Sequence, residues 1–368
     1  MSFGERQIVA CGLAWRRRPG DEDRAAEKLR RRIRLLPWWG FIVAGSAAFA
    51  LRWLMPLIIL GRPVRFESLR PEEADLLLER LQRVAILPVR GPFLTLKSLV
   101  LPVVYGREEK TSAADAETPA SLAPLVRSGP GRRWDAVVVG SGAGGSAAAA
   151  GLARGGARVL LLEQGRRPSV HRDPAEAVSR YYAASGFSAA LGTTLIPIPT
   201  GAAVGGTTAV NSGTCMRTPA AMLERWERAG SGGFSKTGFE ARLDEAWRLL
   251  KVRRAPARTF SRSSRLVLQG LAALGLPPAE PLDRCEDGCE GAGRCCFMCP
   301  TDVKMTAAKA FLDPLKHDPR LTVADRTSLA SIRPPRKAGE PVSLKVQDLE
   351  TGQDETIEAG LLVLEPEP

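Results

Sequence analysis

One stretch constrains the fold of this chain more than any other: Trp134 to Gly165, WDAVVVGSGAGGSAAAAGLARGGARVLLLEQG. It reads as strand, glycine turn, helix, strand. Asp135 to Val139 is a short valine-rich run, as expected for a buried parallel strand. Gly140, Gly142 and Gly145 fall in the G-x-G-x-x-G pattern, with Ser141 inside the turn. The first glycine permits the turn, the second lets the backbone approach a pyrophosphate, and the third lets the helix pack against the strand. Ser146 to Ala150 continue into a helix whose N-terminal amides and dipole favour an anion. Arg158 to Leu162 is a second apolar strand, and Glu163 ends it. That acid lies in the window of about 20 residues where a carboxylate takes up ribose hydroxyls. The expectation is a bound dinucleotide, against the alternative of a glycine-rich turn in some other α/β unit. Glu163 would repel a 2′-phosphate, which disfavours NADP. The motif does not separate FAD from NAD.

The rest of the chain sets bounds on this reading. Its 368 residues suggest about two domains. The net charge is +12, with arginine clusters at Arg16 to Arg18, Arg30 to Arg32 and Arg34. A basic segment beside an apolar one suits an anionic membrane surface better than nucleic acid. No helix-turn-helix, zinc-finger or RNA-binding signature accompanies it, so no nucleic-acid partner is expected. The alternative is an arginine-rich but ordinary solvated surface. Of seven cysteines, five lie between Cys285 and Cys299. Such clustering points to a reducing compartment. The expected location is the cytoplasm, including the inner face of a membrane.

Asp21 to Leu36 is basic and helical in pattern. Leu35 to Leu60 carries a single charge, Arg52. At about 25 residues it is long enough to span a bilayer, with Trp38, Trp39 and Trp53 as interfacial anchors. Pro37, Pro56 and Arg52 equally suit a helical hairpin, either buried or lying in the membrane interface. An export signal is the third reading. Pro71 to Val84 has the marks of a helix: proline at the first position, Glu72 and Glu73 in the first turn, and Leu77, Leu81 and Val84 on one face. Gly91 to Val104 is apolar, and Gly106 to Arg133 reads as a linker. Further on, Pro174 to Ala184, Phe239 to Leu250 and Ser261 to Leu274 read as helices, and another follows Asp302. Val342 to Ile357 reads as a hairpin around Thr351 and Gly352, and Leu361 to Leu364 as the start of another strand.

A second informative stretch is TTLIPIPTGAAVGGTTAVNSGT, Thr193 to Thr214. Gly205, Gly206, Thr207 and Thr208 make a glycine-hydroxyl turn, and Asn211 adds an amide. Such a turn presents amides and hydroxyls to an anionic or polar ligand, although an ordinary loop has the same composition. Arg217 nearby suits either a phosphate or a structural carboxylate.

Three blocks together resemble the glucose-methanol-choline (GMC) family of FAD-dependent oxidoreductases: VVVGSGAGGSAAAAGLARGGARVLLLEQG, GAAVGGTTAVNSGTCMRTP and CCFMCPTDVKMTAAKAFL. The likeness is nearest to its long-chain alcohol oxidase and cholesterol-oxidase-like branch, and FESLRPEEADLLLERL is similar to the helical extension of that branch. The resemblance implies FAD. It implies that Gly140, Ser141, Gly142 and Gly145 hold the pyrophosphate and Glu163 the adenosine ribose. It places Gly205, Gly206, Thr207, Thr208 and Asn211 along the pyrophosphate, ribityl chain and flavin ring. The implied reaction is hydride transfer from an alcohol, a hydrophobic one, to flavin, with a histidine as base. The family places that histidine near a C-terminus beyond this length. His171 and His317 are the only histidines here, and both read as solvated. The family's strand near Leu361 continues into a small-residue turn at the flavin, and Glu365 to Pro368 takes that place here. The chain thus resembles the N-terminal part of such an enzyme, without a catalytic residue of its own and inactive alone.

Cys289, Cys295 and Cys299 follow C-x5-C-x3-C-Pro, with Cys285 and Cys296 close by. The spacing resembles that of cluster-bearing sugar dehydrogenases in the wider family, which implies an iron–sulfur cluster on these three thiolates. Zinc on the Cys296–Cys299 pair and a plain thiol-rich loop are the alternatives. The expected fold class is α/β. Residues 1–105 form a helical, basic, partly apolar extension and 106–133 a linker. Residues 134–368 form a Rossmann-like FAD-binding domain with the start of a substrate domain, the cysteine block 285–299 included. The alternative function is a non-enzymatic, membrane-associated electron-transfer subunit or remnant.

Overall fold

A computed structural model describes residues 38–84, 133–169, 174–186, 188–191, 195–230, 235–337 and 339–365, with a few helical residues before 38 and between 90 and 97. The expected linker 106–133, most of the apolar segment 91–104, and His171 lie outside the described residues. The chain divides into two compact units: Met1–Ser112 with Ala184–Ile198, and Ala113–Ala183 with Pro199–Pro368. The segment 184–198 leaves the second unit where Ala184 and Ser185 take left-handed backbone, φ 46° and 54°.

The first unit is built on helices. α1 spans Trp38–Phe49 and α2 spans Met55–Leu60, joined by a π-helical turn at Ala50–Leu54. The expected hairpin is absent from this stretch, because the helix runs straight through Pro56. The reason is local. A proline has no N–H to give and crowds the carbonyl four residues back. The wide π turn, in which Met55 N–H donates to Ala50 O, opens the ladder just before it. Gly61, in left-handed backbone at φ 68°, ends the helix. α3 spans Pro71–Arg83 as the sequence implies, with Pro71 at its first position. The Glu73 carboxylate accepts from the Arg70 N–H at 3.1 Å, which satisfies one amide at the helix start. Leu77 and Leu81 of α3 join Ala44, Ala47, Ala48, Leu51, Met55 and Phe66 in one core.

The second unit is a six-stranded sheet. β1 is Arg133–Val139, β2 Val159–Leu162, β3 Leu321–Ala324, β4 Thr327–Arg333, β5 Val342–Asp348 and β6 Asp354–Leu364. The strand order is β3-β2-β1-β6-β5-β4. β3, β2, β1 and β6 run parallel, and β6, β5 and β4 form an antiparallel meander. α4, Ala143–Arg154, crosses from β1 to β2. All four residues of β2 are buried. Leu160 and Leu162 face one core with Leu344, Val346 and Ile357, and Val159 and Leu161 face the other with Ala149 and Ala153 of α4. Each such buried side chain contributes about 1.5–3 kcal/mol, so β2 anchors the sheet centre from both sides.

Sequence pattern separated Leu361–Leu364 from the hairpin before it. The structure makes them one strand. β6 pairs with β5 through Asp354–Ala359 and with β1 through Glu358–Leu364. The pattern breaks between Ile357 and Leu361 because Glu358 and Gly360 are poor strand formers, and pairing overrides that preference. A smaller antiparallel sheet of Thr214–Cys215, Asp283–Cys285 and Val252–Arg254 carries the start of the cysteine block.

Candidate cofactor-binding site

The site forms where β1 ends beside β2. Gly140 N–H donates to Leu162 O at 2.9 Å, so the glycine loop begins clamped to the neighbouring strand. Gly142 stands at the N-terminal cap of α4. Ser146 Oγ donates to Ser141 O at 2.6 Å and closes the first turn. The amide of Gly144 points outward and meets a carboxylate. Gly144 N–H donates to Glu365 Oε1 at 2.7 Å. Glu365 follows directly on β6, and its own N–H donates to Val139 O at 3.0 Å.

The Glu365 carboxylate thus lies in the loop as an anion would. A Cβ at Gly142 would stand 2.9 Å from both carboxylate oxygens. One at Gly145 would stand 2.7 Å from Oε2 and would overlap the Gly140 carbonyl. Oε2 is buried and has no hydrogen-bond partner. The cradle is shaped for oxygens carrying negative charge at a helix N-terminus. The carboxylate takes up one donor, the Gly144 N–H, and its second oxygen finds none.

Glu163 ends β2 as expected, only 4% exposed. Its Oε2 accepts from Ser141 N–H at 3.0 Å and from Ser141 Oγ–H at 2.6 Å, and its Oε1 accepts from Gly165 N–H at 2.8 Å. Burial pushes its pKa above the ordinary carboxylate value, and the charge of Glu365 adds to that, while the three hydrogen bonds act the other way. The acid therefore fixes the loop from behind. Oε1, with one donor, retains a lone pair.

Ser141 joins the two informative stretches. Its hydroxyl donates to Glu163 and accepts from Gly205 N–H at 2.9 Å. Gly205 and Gly206 take φ of 98° and 54°, conformations a side chain rarely adopts. They lead into a short helix, Thr207–Val210. The hydroxyls expected to face a ligand are turned to the chain itself. Thr207 Oγ1 accepts from Gly201 N–H at 3.0 Å. Thr208 Oγ1 donates to Gly205 O at 2.5 Å and accepts from Ala307 N–H at 3.0 Å. Asn211 Oδ1 accepts from Gly213 N–H at 3.0 Å. These side chains hold the turn in shape. Arg217 pairs with Asp244 at 2.7 Å and stacks on Trp247, so it serves the structural role of its two alternatives.

Lys304 escaped the sequence reading. It is buried, and its ammonium donates to Ala209 O, Asn211 O and Cys295 O at 3.0, 2.6 and 3.1 Å. It ties the glycine-hydroxyl turn to the cysteine block. Burial lowers its pKa to about 8, against the pull of the surrounding thiols of Cys285, Cys296, Cys295 and Cys299. Only its place a few residues after the cysteine block could have signalled it. Glu365 had a clearer signal: an acid closing the strand that lies beside the glycine loop.

The expected metal ligands do not converge. Among the described residues no group of three His, Cys, Asp or Glu side chains is placed to hold a metal ion. Cys295 Sγ accepts from the Arg284 guanidinium at 2.9 Å, and Cys289 Sγ accepts from Gly291 N–H at 3.4 Å. Both line an apolar cleft of about 510 Å³ with Phe260, Val267 and Leu268. Cys299 lies 3.4 Å from Thr301 Oγ1 and lines a different cavity, of about 310 Å³, with Lys304. Spacing along the chain says nothing of which way each thiol turns, and here they turn apart. All described cysteines are free thiols. His317 sits exposed in a turn, as expected.

Residues 135–364 match the family model described as GMC oxidoreductase. An uncharacterized GMC-type oxidoreductase of Mycobacterium tuberculosis is 42% identical over 177 residues, 47% of this chain and 28% of the relative. A long-chain-alcohol oxidase of Arabidopsis thaliana is 34% identical over 125 residues, 33% of this chain and 16% of the relative. Among solved structures, the pyridoxine 4-oxidase from Mesorbium loti superposes with a TM-score of 0.43 at 21% identity, over 62% of this chain and 48% of that one. The chain spans less than half the length of the first of these curated relatives.

Proposed function

The chain belongs to the GMC oxidoreductase family, and on that footing we propose that it forms the FAD-binding part of an enzyme that oxidises the CH–OH group of a hydrophobic alcohol. The observation that carries the reading is the carboxylate of Glu365 held in the glycine loop, 2.7 Å from Gly144 N–H. A loop that draws in an anion from its own chain is equipped to bind a pyrophosphate.

The residues divide the work. The amides of Gly142, Gly144 and Gly145 at the start of α4 bind the pyrophosphate, and the helix dipole favours its charge. Glu163 orients the ribose through Oε1 while Ser141 keeps it in place. The backbone of Gly205 to Asn211 lines the ribityl chain and ring, held in shape by Thr207, Thr208 and Lys304. Bound FAD supplies a two-electron acceptor for hydride. The described residues place no base at this site, since His317 lies in an exposed turn. We expect the 368-residue chain alone to bind FAD without turning over alcohol.

The test is a titration of the purified chain with FAD, read by flavin fluorescence, followed by anaerobic addition of a long-chain alcohol. Saturable quenching with no bleaching of the flavin bands is the expected result. Absence of quenching counts against the cofactor site, and alcohol-dependent bleaching counts against the inactive-alone reading.

A further inference from the structure

The helix from Trp38 to Leu60 has two apolar faces with different fates. Ala44, Ala47, Ala48, Leu51 and Met55 are buried in the core of the first unit. Ile42, Val43, Phe49, Leu57 and Ile58 lie 42–59% exposed on the other side, and Trp38 at the helix start is 77% exposed. A contiguous apolar strip of this length on a folded surface marks a place of contact. The π turn at Ala50–Leu54 is what keeps the two faces apart. An extra residue in that turn resets the register, so Met55 stays inside while Leu57 and Ile58 stay outside.

Charge selects the occupant. Arg30, Arg31, Arg32 and Arg34 precede the helix. Arg34 lies four residues before Trp38, a reach of at most about 14 Å. Near the other end the Arg65 guanidinium lies 4.5 Å from the Trp53 ring. Cations and tryptophans bordering an apolar strip match the headgroup layer of an anionic bilayer.

We propose that this helix lies along an anionic lipid surface, its outer face sunk among the acyl chains and its inner face kept in the protein core. It does not span the bilayer, because spanning would strip Leu51 and Met55 from the core they share with Leu77 and Leu81. This inference is independent of the cofactor reading.

The experiment is flotation of the full chain with vesicles of phosphatidylcholine alone or mixed with phosphatidylglycerol. Expected results are at least tenfold more protein on the mixed vesicles, release by high salt or alkaline carbonate, and loss of binding in Ile42→Glu/Leu57→Glu. That double variant should keep its far-ultraviolet dichroism, since both positions are exposed. If it does not fold, the comparison of the two vesicle types with the unaltered chain decides. The proposal is overturned by no flotation, by equal binding to both vesicles, by resistance to carbonate, or by a concentration-dependent dimer that Ile42→Glu abolishes.

Discussion

Glu365 Oε1 lies 2.7 Å from the Gly144 N–H, although 221 residues of chain separate them. The carboxylate and a dinucleotide pyrophosphate would use the same amides, so the two compete. Replacing Glu365 by Gln keeps the size and removes the charge. A charge-assisted hydrogen bond contributes about 1.5–3 kcal/mol, which corresponds to roughly tenfold or more in affinity. Glu365→Gln should therefore bind ADP and FAD about ten times more tightly than the unaltered chain by calorimetry. Equal affinities would mean that the carboxylate moves aside at no cost.

Gly145→Ala should do the opposite. The added Cβ overlaps the Gly140 carbonyl, and backbone on both sides has little room to shift. Overpacking of this kind costs about 1–3 kcal/mol. Urea denaturation should show that loss, together with loss of FAD binding. Normal stability with normal binding would place the glycine outside the cradle.

Glu163→Ala leaves Ser141 N–H and Gly165 N–H without their acceptor. Each buried orphaned donor costs about 1–3 kcal/mol. Removal of a carboxylate whose ionisation burial disfavours offsets part of this. A net destabilisation of ~2 kcal/mol is expected, with weaker FAD binding because the loop is no longer held. Thermal melts with and without FAD separate the two effects, and a cofactor-induced shift as large as in the unaltered chain would count against a binding role for Glu163.

Lys304 should show itself through pH. Its pKa in the folded chain is about 8, below the ordinary 10.5. Between those values the unfolded chain keeps a proton that the folded chain has released, so its contribution to stability rises with pH. Lys304→Met cannot titrate and leaves three carbonyls without their donor. The stability of the unaltered chain relative to Lys304→Met should grow by ~2 kcal/mol from pH 8 to pH 10, measured by urea denaturation at each pH. A flat difference would place Lys304 in contact with water.

The strand–loop–helix–strand at Arg133 to Leu162 was legible because each of its signals is local: valine runs, glycine spacing and small helix residues. The apolar segment from Leu35 to Leu60 was equally plain. Its continuity through Pro56 was not, since a π turn leaves no mark in composition. Nor could an almost uniformly apolar segment say which face would be buried. At the site, Glu163 and Ser141 were readable from the motif. Their bond to one another and to Gly205 was not, because it depends on how distant segments pack. The choice among cluster, zinc and thiol-rich loop stayed open in the sequence for the same reason: Cys295 and Cys299 are near along the chain, yet Arg284 holds one thiol and Thr301 meets the other.

β6 has a further consequence, for the birth of the protein on the ribosome. It is the strand that closes the open side of β1, through pairs from Arg133↔Glu358 to Val139↔Leu364. At ordinary elongation rates, β1 leaves the exit tunnel on the order of ten to forty-five seconds before β6 does. Through that interval its edge, Ala136 to Val139, has a row of free amides and carbonyls to offer any passing strand. Slow codons or scarce chaperone late in translation should thus lower the soluble yield of this chain more than the same delay placed early.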